Sequence, residues 1–415
     1  MNTRKDWKIE FIKIWTGQAV SMLTSSVLQM AIVWYLTERT GSSAVLSFAT
    51  LIGYLPQAVL GTFIGVYIDR YNKKKIMIYA DLFIAAASLL LVIVGIFGEI
   101  PIWLIFVVLF VRSIGAAFHY PALQAVTPSI VPKEHLTKYA GYAQSFESVS
   151  MVASPAIAAA LFSIWNLDTI IMLDVFGALI AVGMICIARL SFEKEEAVTA
   201  QEATEIGMLR EVKEGLMILR SVKGMTALLT ISALYAIIYF PIGTLYPLIT
   251  MKYFGGTFAD SSVVEIVFSV GMLAGSLLLG IFGDKVNKRL AIIGSIFIYG
   301  VGVLMTGLLP TNGLYVFMGL SILMGSSVPF YTGVETSIIQ SRIEEAYLGR
   351  ILALSGSLTT ITMPIGLVLS GLFSDMIGIQ NWFILLGAIT IVLAIVAMAM
   401  PSFRAFTEYK EIPEN

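Results

Sequence analysis

The sequence predicts an all-α polytopic membrane protein, with twelve transmembrane helices in two pseudo-symmetric six-helix halves. Three observations carry that expectation. The composition is 58% hydrophobic and only 13% charged over 415 residues, with a mean hydropathy of +0.87; a water-soluble chain of this length needs many more charges to cover its surface. Apolar runs long enough to cross a bilayer follow one another along the whole chain. One short charged phrase also occurs twice, "GVYIDRYNKKK" at 65–75 and "GIFGDKVNKRL" at 280–290.

A crossing helix needs about 20 apolar residues. Runs of that length fall near 11–37, 43–69, 75–97, 102–124, 138–162 and 168–190, then near 225–250, 261–283, 289–309, 313–340, 346–374 and 381–401. The first follows "MNTRKDWKIEFIK" and is longer than a signal-peptide core, with no small-residue cleavage site, so it is expected to remain as the first span. The second and eighth end in the two copies of the charged phrase, and the third and ninth begin on its bases. The runs are too long and too evenly apolar for barrel strands. The long connection, 191–224, carries twelve charges, with Ile206, Leu209, Val212, Leu216 and Leu219 at helical spacing. That pattern predicts an amphipathic helix on the membrane surface. The expected organisation is a first half at 1–190, a linker at 191–224, a second half at 225–401 and a tail at 402–415.

Lys and Arg placement sets orientation. Of the 26 basic residues, all but Arg39, Lys252 and Arg112 fall on one side of this topology. Both termini are therefore expected in the cytoplasm, in a bacterial inner membrane. A net charge of −1 gives no basic surface for nucleic acid. The single Cys186 makes no internal disulfide, and His119 and His135 stand in different settings. No metal-ligand, nucleophile-elbow or phosphate-loop pattern appears, so neither a cofactor nor an enzymatic activity is expected, and an ion gradient is the remaining energy source.

The repeat extends beyond the phrase. With an offset near 210, Gly115 matches Gly325, Pro155 matches Pro364, and "LFS" at 161–163 matches "LFS" at 372–374. Two parallel six-helix halves are the signature of a transporter with its site between them.

Charged groups inside spans are costly and usually functional. Arg112 and Glu147 each lie about ten residues into consecutive runs, roughly 15 Å deep, where they are expected to meet. Arg112, Glu147, Asp174 and Glu265, the last in the outer third of the eighth run, are the candidates for proton coupling. Asp174, in the sixth, is expected to pair or hydrogen-bond near the outer interface, and Asp81 to be structural. Gln18, Met22, Ser25 and Gln29 fall on one face of the first run. Tyr235, Tyr239 and Tyr246 share a face of the seventh, and Met324, Tyr331 and Glu335 a face of the tenth. Aromatic and methionine-rich walls with sparse polar groups suit a bulky amphipathic ligand, because such side chains repack around varied shapes. Helix–helix packing would use the same residue types. His119 is a further candidate near the cavity, as a proton shuttle or a hydrogen-bonded helix residue.

The charged phrase resembles the G-x-x-x-D-[RK]-x-G-[RK]-[RK] signature of major facilitator superfamily transporters, with Asn72 and Asn287 where glycine is usual. Asn tolerates the left-handed conformation that such a turn is expected to need. The phrasing of "IWTGQAVSMLTSSVLQMAI", "VRSIGAAFHYPALQAVTP", "YLGRILALSGS" and "PIGLVLSGLFSDMIGIQNWF" is similar to the bacterial macrolide-efflux (Mef-type) branch. The resemblance implies a drug:proton antiporter working by alternating access, functioning as a monomer. It also places Arg112 where antiporters of the superfamily carry an arginine tied to proton transfer. It implies a cytoplasmic gate built from Gly65, Asp69, Arg70, Gly280, Asp284 and Lys285, joined by a Glu335–Arg350 ion pair. The exporters' G-P-x-x-G-G motif is reduced here to Ser154 and Pro155 in "SPAIAA", so export direction rests on the branch resemblance. Rival expectations are transport of another amphipathic solute, such as a siderophore or lipid, and a sensor or scaffold on the same fold.

Overall fold

The computed structural model describes residues 3–132, 150, 153–188, 217, 221–222, 224–282, 286–343 and 345–404. Among them ten helices are long and apolar enough to cross a membrane, and the protein is multi-pass. The amphipathic segment expected within 191–224 lies almost entirely outside the described residues.

The chain divides into two compact units, Met1–Gly41 with Phe48–Thr199, and Ser42–Ser47 with Ala200–Asn415. The first unit contains α1 (Thr3–Thr40), most of α2 (Ser43–Arg70), α3 (Lys73–Phe97), α4 (Ile102–Ile130), α5 (Ala153–Phe162) and α6 (Leu167–Ile187). Within it α1 packs on α6, and α3 packs on both α4 and α6. In a bilayer, helices associate through close van der Waals fit, which small residues permit. Gly17 and Gly177 let α1 and α6 approach so closely that a Cβ at either would collide with Met184 or Thr24.

The second unit contains α7 (Met225–Leu248), continued by a π-helical turn at Ile249–Tyr253, then α8 (Phe258–Phe282), α9 (Lys288–Leu308), α10 (Leu314–Arg342), α11 (Glu345–Ile377) and α12 (Ile379–Ala399). Here α8 packs on α10, α9 on α10 and α12, and α7 on α11. The first turn of α2 belongs to this unit for a clear reason. The Asp375 carboxylate, near the end of α11, accepts hydrogen bonds from Ser42 Oγ (2.5 Å), Ser43 N (2.7 Å) and Ala44 N (3.1 Å). It fills the place of a capping anion at a helix N-terminus.

The repeated phrase folds the same way twice, though not as expected. Asn72 has φ −67° and ψ 105°, and Asn287 has φ −66° and ψ 108°. Neither is left-handed. Each is the N-cap of the following helix, its side-chain oxygen accepting from the amide of Lys75 or Leu290 at 3.2 Å. The correction has a simple cause: Asn is among the best N-cap residues, and the cap needs extended backbone. Gly115 and Gly325, matched by the offset, serve different neighbours. Gly115 admits Ile84 of α3, whereas Gly325 admits the Phe268 carbonyl of α8.

Candidate functional site

In the first unit, Arg112 of α4 reaches Asp174 of α6, with Nη1 2.5 Å from Oδ2. Asp174 is 1% exposed. Ser25 Oγ of α1 donates to the other carboxylate oxygen at 2.6 Å, and Arg112 also donates to Ser88 Oγ of α3. Four helices thus contribute one polar group each to a single buried cluster. Burying either charge alone would cost several kcal/mol, and the pair is sustained because both partners are also hydrogen-bonded.

Two helical turns along the same helices lies a second polar layer. Gln18 Nε2 of α1 donates to Asp81 Oδ2 of α3 at 3.2 Å. His119 Nε2 of α4 lies 3.3 Å from Asp81 Oδ1, without the alignment of a hydrogen bond. Gln18 is fully buried and Asp81 is 4% exposed. The register explains the stacking. Gln18 and Ser25, Asp81 and Ser88, and His119 and Arg112 are each seven residues apart, which returns a side chain to nearly the same helix face. Ala85, Val175 and Ala178 form an apolar cluster between the layers, and Ile84 fills the space over Gly115.

The second unit is built differently. Tyr235 and Tyr239 of α7, Tyr299 of α9 and Tyr331 of α10 form one aromatic cluster. Ring centroids are 4.8 Å apart for Tyr235–Tyr331, 5.4 Å for Tyr239–Tyr299 and 5.7 Å for Tyr235–Tyr299. Further along α7, Tyr246 packs against Phe268, Phe317 and Phe383, and its hydroxyl lies 3.8 Å from Met324 Sδ. Glu335 accepts from Ser232 Oγ at 2.6 Å, with the Tyr331 hydroxyl alongside. Glu265 of α8 lies within electrostatic range of Tyr246.

The structure therefore gives Arg112 the partner Asp174 of α6. Glu147, the partner expected from the sequence, lies outside the described residues, as does Asp284 with Lys285. The side chains of Gly65, Asp69, Arg70 and Arg350 are likewise not described, so Glu335 is seen only with Ser232 and Tyr331. Gly280 is described near the end of α8, with open space where a Cβ would stand. Along α1, Gln18 and Ser25 turn into the two polar layers, Met22 is partly buried, and Gln29 is exposed.

Sequence reasoning missed Ser88, Tyr299, Ser232 and Asp375 as members of these clusters, and left Asp81 without a partner. A usable signal existed for some of them. Asp81 stands seven residues from Ser88, in register with the polar spacing on α1 and α4. Tyr299 is the lone aromatic hydroxyl of its span, beside Gly300 and Gly302.

Comparison with known proteins extends these observations to the whole chain. The family model described as Major Facilitator Superfamily matches residues 14–248 and 228–413. The chain is 49% identical to Macrolide efflux protein A of Streptococcus pyogenes over 404 residues, covering 97% of this chain and 99% of that protein. It is 22% identical to the multidrug efflux pump Tap of Mycobacterium bovis, covering 90% and 89%. Among solved structures, it is similar to a bacterial homolog of the human lysosomal transporter Spinster, in an inward-facing, unoccupied conformation. The TM-score is 0.72 at 13% identity, covering 99% of each chain. The nucleoside transporter NupG gives a TM-score of 0.71 at 12% identity, covering 94% of this chain and 100% of that one.

Proposed function

The chain belongs to the major facilitator superfamily, and we propose that it exports macrolide-class or similar bulky amphipathic compounds in exchange for protons. In this reading it has twelve spans in two six-helix halves and works as a monomer by alternating access. It sits in the bacterial inner membrane with both termini in the cytoplasm. Full-length similarity to macrolide efflux proteins supports the substrate class. The observation that carries the coupling is the buried Arg112–Asp174 pair.

A proton is the smallest cargo that changes such a pair. With Asp174 ionised, its charge and hydrogen bonds hold Arg112, Ser25 and Ser88 together. A proton on Asp174 cancels the attraction and leaves a hydroxyl that donates one bond. Arg112 is then released, and the packing of α4 against α3 is biased toward a second arrangement. Proton uptake from the outside and release to the inside then drives export. The tyrosine and methionine surfaces of α7, α9 and α10 are the proposed substrate wall, because they offer large apolar area with few fixed polar demands.

The test is accumulation of radiolabelled erythromycin in cells with and without the protein, with and without a proton uncoupler. Lower accumulation that the uncoupler abolishes supports the reading. Equal accumulation in all conditions, alongside transport of a siderophore or a labelled lipid, moves the substrate to that class.

A further inference from the structure

We propose that Asp81 and His119 form a second proton-binding site in the first unit, an inner station two turns from Arg112–Asp174. The inference rests on the proton-driven reading above and adds a place where the proton is held. Three features of the geometry carry it. Asp81 and the His119 Nε2 atom are buried and 3.3 Å apart, yet not aligned as a hydrogen bond. Gln18 spends its donor on Asp81, leaving Gln18 Oε1 buried with no hydrogen-bond donor among the described residues. Such an unmet acceptor is costly, and a site that exchanges partners accounts for it. The layer also repeats the outer one at seven-residue spacing on three helices, about 10 Å away at 1.5 Å per residue.

The chemistry is one reversible protonation. The imidazole takes up a proton at its free nitrogen, and the Asp81 carboxylate balances the imidazolium charge. Loss of that proton restores the neutral ring, and no other bond changes. Histidine is the side chain whose ordinary titration falls nearest neutral pH.

No other charged group is paired with Asp81 or His119 among the described residues. On α1, Glu10 and Lys13 pair with each other at 2.9 Å. On α3, Lys74 donates to the carbonyls of Cys186 and Ala188 on the α6 side, Lys73 and Lys75 lie at the same helix start, and Tyr79 is exposed. On α4, Arg112 is engaged by Asp174 of α6, and Tyr120 is exposed. Glu147 lies outside the described residues, and its variant is a control below.

The experiment uses full-length protein labelled with 15N-histidine and reconstituted in lipid nanodiscs. The chain has two histidines, so His135→Asn leaves one imidazole signal, that of residue 119. Its titration midpoint is expected to move in Asp81→Asn, and to stay in place in Glu147→Gln. In proteoliposomes driven by a pH gradient, His119→Gln is expected to flatten the dependence of erythromycin transport on internal pH. At the optimum it should lose about tenfold in uphill rate, while erythromycin exchange without a gradient stays within about twofold. An unchanged midpoint in Asp81→Asn overturns the site. A His119→Gln transport profile that overlays wild type overturns it as well. If wild type itself shows no gradient-driven transport while the Asp81-dependent midpoint shift is present, the antiport reading fails and the proton site stands.

Discussion

The two units bury polarity in opposite ways. The first places ionisable groups in its interior, Arg112 with Asp174 and Asp81 with His119, stacked in register on shared helices. The second places neutral hydroxyls there, on Tyr235, Tyr299 and Tyr331, with Glu335 bonded to Ser232 and no cation paired to it among the described residues. A charged layer changes its interactions completely when one proton arrives, whereas an aromatic layer presents broad contact area that hardly depends on the proton. Under the proposed function, the contrast is a division of labour: charge chemistry in the first unit, recognition of an amphipathic solute in the second.

The largest expected effect breaks the first side of that contrast. Arg112→Leu leaves the Asp174 charge buried without its partner, which should destabilise the protein by about 3–5 kcal/mol and abolish uphill transport. The double change of Arg112→Met with Asp174→Leu should recover most of that stability, because well-packed apolar residues replace a buried pair at little cost. Transport should not recover. Thermal unfolding in detergent measures the first outcome, and gradient-driven erythromycin uptake into inside-out vesicles the second.

Next in size is the aromatic side. Tyr235→Ala removes a ring that touches Tyr239, Tyr299 and Tyr331, and should cost about 3–5 kcal/mol through the cavity it leaves. Tyr239→Ala, at the cluster edge, should cost less stability and change the ratio of transport rates among macrolides by roughly tenfold. The pH dependence of transport should stay as in wild type for Tyr239→Ala. A pH profile altered as strongly as by changes in the first unit would erase the division.

Glu335→Gln sharpens the comparison further. The amide oxygen keeps an acceptor for Ser232, so transport should fall by no more than about threefold, against the near-complete loss expected for Asp174→Asn. The smallest effect comes where the units are alike. Asn72→Ala and Asn287→Ala each remove a helix N-cap, and each should cost about 1 kcal/mol with similar thermal shifts.

Much of this architecture was legible in the chain. Run length and composition are direct consequences of bilayer thickness, so the crossing helices are readable residue by residue. The repeated phrase announced two equivalent turns, and both are found as Asn-capped helix starts. Arg112 was readable as a paired residue because a cation in a span demands a partner. Its partner was not readable. Depth along a helix follows from counting, but which neighbour a side chain faces depends on packing: α6 lies against α1 through the close fits at Gly17 and Gly177, and against α3 as well. That contact brings Asp174 to Arg112, while sequence adjacency pointed to Glu147. The Asp375 cap on α2 is hidden for the same reason, since it joins residues more than 300 positions apart.

Two acids, both candidates from the sequence, thus compete for the proposed coupling role: Asp174, which the structure pairs with Arg112, and Glu147, which lies outside the described residues. Gradient-driven uptake and gradient-free exchange of radiolabelled erythromycin, measured in the same proteoliposomes for Asp174→Asn, tests the central claim most directly. The account predicts that exchange survives within about threefold, while uphill accumulation and its sensitivity to uncoupler are lost. Uphill accumulation by Asp174→Asn at the wild-type level, with an unchanged pH dependence, would contradict it; loss of uphill accumulation in Glu147→Gln would then pass the role to that acid.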